Sequence, residues 1–174
     1  TLVFIGDGNN VCHALLYAAA KAGMNMRVGC PEGYEPLSDI LDHAKEAAKV
    51  QGGSIEVVHD PVRAAAGADV IYTDVWVSMG FEGESAERRK AFEKFRVDGA
   101  LMSRAKKDAI FMHCLPARRG EEVTDEVMDG RQSAILDQAE NRMHSAKAVL
   151  LALMAPAEFK KFAIIGKNIP RRKK

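Results

Sequence analysis

Thr1-Leu2-Val3-Phe4-Ile5-Gly6-Asp7-Gly8-Asn9-Asn10-Val11 opens the chain, and its reading decides the fold. Four apolar, β-prone residues run into a Gly-Asp-Gly turn, and a helical pattern begins at the Asn pair. A buried strand passing straight into a helix is the first half of a βαβ unit. Asn9 to Ala22 reads as that helix, with Leu15, Leu16 and Ala19 on one face and Gly23 as its stop. Asn25–Cys30 is the next strand, closed by Pro31-Glu32-Gly33.

The alternation continues outward from this start. The pattern predicts a helix over Leu37–Val50 capped by Ser38, a strand over Ile55–Val58, a short helix over Pro61–Ala66 and a strand over Val70–Thr73. Residues 77–84 form a loop. Helices follow at Ser85–Phe95 and near Asp98–Ala105, then a strand at Ala109–Met112 and a long helix at Gln138–Met154. Phe162–Ile165 reads as an edge strand or a packed arm. Strands and helices in strict alternation require parallel strands with right-handed crossovers. The fold class expected is therefore α/β: a Rossmann-like, doubly wound parallel sheet of about five strands with helices on both faces. Residues 1–155 form the domain, and residues 156–174 form a tail or extension.

Composition bounds the function. A hydrophobic fraction of 47% with 28% charged residues describes a soluble globular domain, and the net charge of +1 gives no pull toward nucleic acid or a membrane surface. The terminal Arg171-Arg172-Lys173-Lys174 reads as a solvated tail. No stretch approaches the roughly 18–20 apolar residues of a membrane span. The three cysteines, Cys12, Cys30 and Cys114, form no close pair and show no ligand spacing. They fit a reducing, cytoplasmic setting without zinc or disulfides. Thr1 leads directly into a core strand, so the chain reads as a piece of something longer.

Candidate functional residues gather at the carboxyl ends of strands, where ligands sit in open α/β sheets. The glycines of Gly6-Asp7-Gly8 would let a ligand approach the helix start. A dinucleotide site fits poorly, because Val11 takes the third glycine position and the second strand ends Val28-Gly29-Cys30 without an acidic residue. Asn9 and Asn10 either cap the helix or, at Asn10, orient a carboxylate. Asp74 follows the fourth strand and could pair with an ammonium group. Ser78 could add a hydroxyl, and Gly80 and Gly83 would let the loop close. Trp76 reads as a core residue. His113-Cys114 admits a thiolate–imidazole nucleophile, but neighbours at a strand end point to opposite sides, so two binding roles fit better. A buried Cys beside a satisfied core His is the structural alternative. Arg142, near the start of the long helix, could reach an oxygen with its fork of donors. His13, His43, His59 and His144 read as structural or surface groups.

Five segments in order carry a resemblance: Phe4-Ile5-Gly6-Asp7-Gly8-Asn9-Asn10-Val11, Pro31-Glu32-Gly33-Tyr34-Glu35-Pro36, Thr73-Asp74-Val75-Trp76-Val77-Ser78-Met79-Gly80, His113-Cys114-Leu115-Pro116 and Gln138-Ala139-Glu140-Asn141-Arg142. Over roughly residues 2–154 the chain resembles the C-terminal, ornithine-binding domain of the ornithine carbamoyltransferases. That resemblance implies transfer of a carbamoyl group from carbamoyl phosphate to the δ-amine of L-ornithine, giving citrulline and phosphate, with no metal or organic cofactor. It implies that Asn10 holds the α-carboxylate, Asp74 and Ser78 hold the α-ammonium, and Met79 lies along the aliphatic part. Cys114 and the Leu115 carbonyl would face the δ-amine, and His113 and Arg142 the carbamoyl oxygen.

These types suit the chemistry: an alkyl amine with a pKa of about 10.4 must lose its proton before attack, and cationic donors stabilise the developing oxyanion. Two departures stand out. Ala14 replaces a common Ser, and the family's Ser-Thr-Arg-Thr-Arg phosphate site is absent, so the isolated chain is expected to be inactive. Full-length relatives are homotrimers built largely through that missing domain. A non-catalytic amino-acid-binding or isolated Rossmann-like domain is the alternative.

Overall fold

A computed structural model describes residues 1–77 and 82–167. Thr1–Ile135 form one compact unit and Leu136–Lys174 a second. In the first unit, β1 (Leu2–Ile5) leads to α1 (Asn10–Lys21) and β2 (Asn25–Gly29); then come α2 (Ser38–Val50), β3 (Ser54–Val58), α3 (Pro61–Ala65) and β4 (Val70–Thr73). A 3-10 turn at Glu82–Glu84 introduces α4 (Ser85–Phe92), and a second at Glu93–Phe95 ends it. α5 (Gly99–Met102), β5 (Ile110–His113) and α6 (Asp125–Met128) follow. Among the described residues, no helix is long and apolar enough to cross a membrane.

The five strands are all parallel, in the order β3-β2-β1-β4-β5. All four residues of β1 are buried, as the central strand of a sheet covered on both faces must be. Its alternate side chains feed two cores. Val3 and Ile5 join Ile71, Phe111, Trp76 and Phe92 on one face, while Leu2 and Phe4 join Met26, Val28, Leu16 and Ala44 on the other. This is the doubly wound, Rossmann-like sheet that the alternating pattern predicts.

Several boundaries differ from expectation. Ser38 is the first helical residue of α2 rather than its cap: Leu37 holds the cap position without a side-chain bond. The Leu37 amide instead donates to His13 Nε2 at 3.3 Å, so a neighbouring element satisfies the helix end. β5 extends to His113, whose backbone pairs with Thr73. A short helix, α6, sits between β5 and the long helix, where the sequence pattern predicts no element.

The second unit contains most of α7 (Ile135–Met154), which starts three residues before the expected Gln138, and α8 (Pro156–Lys167). The edge strand or arm expected at Phe162–Ile165 is helical. Pro156 occupies the first helical position, where its missing N–H costs nothing, and the Phe159 amide bonds Ala155 O at 3.0 Å to close the turn.

Candidate active site

Strand register sets the site. Val58, Gly29, Ile5, Thr73 and His113 lie in one row across the carboxyl ends of the strands. Strand order reverses direction at β1 and β4, so a crevice opens between the turn after β1 and the end of β4. The turn carries Gly6 to Asn10, and Asp74 follows β4.

The turn is shaped by packing against its own chain. A Cβ on Gly8 would stand 2.3 Å from Pro36 N, and the Gly8 amide bonds Tyr34 O at 2.9 Å. The space left by this glycine is therefore filled by the Pro31–Pro36 segment, while Gly8 also lines the cleft beside Asp7 and Asn9. Asn9 is the helix cap, its side chain accepting from the Asn10 amide at 2.8 Å. Asn10 holds a positive φ of 22° and is exposed. The capping reading of the pair thus falls on Asn9.

At the ends of β4 and β5, Asp74 Oδ1 accepts from the Val75 amide at 2.8 Å and from the Cys114 thiol at 3.0 Å. Burial, followed by the hydrogen bond and charge of Asp74, pushes the Cys114 thiol up to about 12. The thiol stays protonated at neutral pH, which removes the thiolate a cysteine nucleophile requires. His113 is buried. Its Nδ1 accepts from the Leu115 amide at 2.9 Å, and its Nε2 faces Glu122 Oε1 at 3.3 Å. Leu115 has a positive φ of 61°, so the backbone turns sharply just beyond Cys114.

Sequence spacing shows no ligand cluster, yet the fold brings one potential donor atom each of Asp74, His113 and Cys114 within 4.8 Å of one another. The side chains are already committed, the ring to Leu115 and Glu122 and the thiol proton to Asp74. A metal would have to displace those bonds and deprotonate a thiol held up near 12.

Two features had no sequence signal. Glu122 is fully buried although it lies in a charged stretch. Arg88, on the charged helix α4, is also buried. It bonds Asp7 Oδ2 at 2.7 Å and Glu84 Oε2 at 2.9 Å, and lies over the Tyr34 ring at 5.2 Å. Burial raises the Asp7 carboxyl, with Arg88 opposing. Asp7, Asn9, Tyr34 and Arg88 line one side of an open cleft of about 530 Å³. Trp76 is 2% exposed and stacks on Phe92, a core residue as expected. Ser78 and Met79 lie outside the described residues. Arg142 is exposed on α7, in the second unit.

Comparison with known proteins gives one answer. Residues 1–153 match the family model of the aspartate/ornithine carbamoyltransferase Asp/Orn-binding domain. The ornithine carbamoyltransferase of Pyrococcus horikoshii is 55% identical over 153 residues, 88% of this chain and 48% of that protein. The one from Parasynechococcus marenigrum is 56% identical over 154 residues, 88% and 48% of the two chains. The solved ornithine carbamoyltransferase of Pyrococcus furiosus superposes with a TM-score of 0.82 at 55% identity, covering 86% of this chain and 48% of that one. The chain thus spans about half the length of the relatives it matches. With its sheet order, its turn after β1 and its His-Cys-Leu-Pro turn after β5, this chain belongs to the aspartate/ornithine carbamoyltransferase family, as its Asp/Orn-binding domain.

Proposed function

We propose that this chain forms the ornithine-binding wall of a carbamoyl-transfer site, a domain spanning about residues 1–155. The observation that carries the reading is the Asp74–Cys114 pair at the sheet's carboxyl edge. Among the described residues Asp74 Oδ1 takes both protein bonds, which leaves Oδ2 for an α-ammonium. The protonated, half-buried thiol offers sulfur lone pairs and little water to a δ-amine. That environment disfavours the ammonium form and so favours attack. In this reading the Leu115 carbonyl accepts from the same amine. Ser78 and Met79 complete the ornithine contacts in this reading, and Asn10 takes the α-carboxylate near the start of α1.

In the reaction, the amine nitrogen bonds to the carbonyl carbon of carbamoyl phosphate, and the proton it loses ends on the departing phosphate. The carbon–oxygen bond to phosphate then breaks, giving citrulline and phosphate. His113 serves the carbamoyl side. In the conformation described here, both His113 nitrogens serve Leu115 and Glu122, so the ring's contribution runs through the turn it holds. The phosphate-holding part is a separate carbamoyl phosphate domain, a reading supported by the match to about half the length of the relatives. Trimeric assembly through that region and a reducing cytoplasmic setting, which the free cysteines support, form part of the same proposal.

Citrulline formation from ornithine and carbamoyl phosphate tests it. The 174-residue chain alone is expected to show none. The same chain joined to an upstream domain bearing Ser-Thr-Arg-Thr-Arg should turn over, with Asp74→Ala lowering kcat/KM by about 100-fold or more. Turnover by the chain alone, or indifference of the joined protein to Asp74→Ala, contradicts the reading. The second reading, an amino-acid-binding domain without catalysis, is favoured by the half-length span, and it predicts ornithine binding with no turnover in either form.

A further inference from the structure

The turn after β5 is held by a buried acid. Glu122 Oε1 accepts from the Arg118 amide at 2.5 Å and faces His113 Nε2 at 3.3 Å, so one oxygen joins the end of β5 to the far side of the Cys114–Ala117 turn. The opposite edge of the ring fixes its protonation pattern. Because the Leu115 amide donates to Nδ1, that nitrogen carries no proton, and the ring proton of a neutral imidazole sits on Nε2, facing the carboxylate. Glu122 is itself anchored away from the sheet edge: the Val97 amide bonds its carbonyl at 2.8 Å, and Val97 bridges Val123. The acid therefore stands on a fixed base, and the ring and the turn are set against it.

We propose that Glu122 is a positioning residue of the ornithine site. It holds His113 as the Nε2–H tautomer, and through that ring it holds the Leu115 amide. The Cys114 sulfur and the Leu115 carbonyl then meet an amine in one geometry. This rests on the proposed function only for the identity of the ligand; the tautomer and the turn are properties of the chain itself. Replacing the acceptor while keeping its volume separates positioning from packing. Glu122→Gln retains an oxygen for both donors, whereas Glu122→Met fills the space with no oxygen.

Nitrogen-15 NMR of the imidazole rings in the 174-residue chain reads the tautomer directly, with the His113 signals assigned by their loss in His113→Gln. The native chain and Glu122→Gln should each show a single Nε2–H tautomer near neutral pH. Glu122→Met should show a mixture and a shifted Leu115 amide. In calorimetry, ornithine affinity should stay within about 3-fold in Glu122→Gln and fall about 10-fold or more in Glu122→Met. A native ring protonated on Nδ1 overturns the proposal without any variant, so a poorly folding Glu122→Met cannot shield it. Native tautomer and affinity in a folded Glu122→Met overturn it too. The expected tautomers together with no ornithine binding by the native chain would uphold the positioning role and remove the ornithine reading instead.

Discussion

Asp74 and Cys114 lie 40 residues apart in sequence, and each directly follows a strand; parallel neighbours in register bring them to 3.0 Å. This pairing makes the thiol a weak acid. Asp74→Asn removes the charge that helps raise it, so the Cys114 pKa should fall from about 12 while burial keeps it above the ordinary 9.0. The thiolate fraction at pH 9 then rises, and Cys114 should react with a disulfide reagent faster than in the native chain. Rates measured between pH 7 and 10 check this; an unchanged profile would show that Asp74 does not act on the thiol. Asp74 and Cys114 were legible in the sequence because a polar residue directly after an apolar run marks a strand end. Glu122 and Arg88 were not. Their burial depends on partners brought in by the fold, and Asp7 lies 81 residues from Arg88, so no local pattern separates them from solvated charges.

At the scale of elements, a buried ion pair ties α4 to the turn after β1, and an aromatic cluster packs it against Tyr34 and Trp76. Arg88 and Asp7 have side chains 7% and 11% exposed, so Arg88→Met leaves the Asp7 carboxylate buried without its partner. Urea unfolding should show a loss of about 3–5 kcal/mol, and a loss below about 1 kcal/mol would mean that water replaces the guanidinium. Phe92 is fully buried, edge-on to Tyr34 and stacked with Trp76. Phe92→Ala should cost about 3–5 kcal/mol in the same measurement. Element types were readable where an apolar pattern ran unbroken, as in β1, α1, β2 and α2. The reading failed at Phe162–Ile165, where β-prone residues sit in a helix started by Pro156, and at α6, a single turn too short to show periodicity.

Across the whole molecule, the sheet unit Thr1–Ile135 carries all three cysteines, and burial makes all three thiols weaker acids than an ordinary cysteine. The unfolded chain releases these protons near 9.0, while folded Cys30 and Cys114 hold theirs to about 12. Between those values the native state binds more protons, so stability falls as pH rises from about 9 toward 12. Denaturation midpoints followed over this range should decline, and less steeply in Cys30→Ala; a flat profile would contradict the buried, protonated thiols. The doubly wound sheet and the crevice beside β1 and β4 follow from alternation and register.

The central claim is that the Asp74–Cys114 edge binds an amino acid, Asp74 through its α-ammonium and Cys114 through its side-chain amine. Titrating the native chain and Asp74→Ala with ornithine in a calorimeter tests it most directly. Saturable heat from the native chain, with affinity reduced about 10-fold or more in a folded Asp74→Ala, is the predicted result. Equal heats from the two proteins would contradict it.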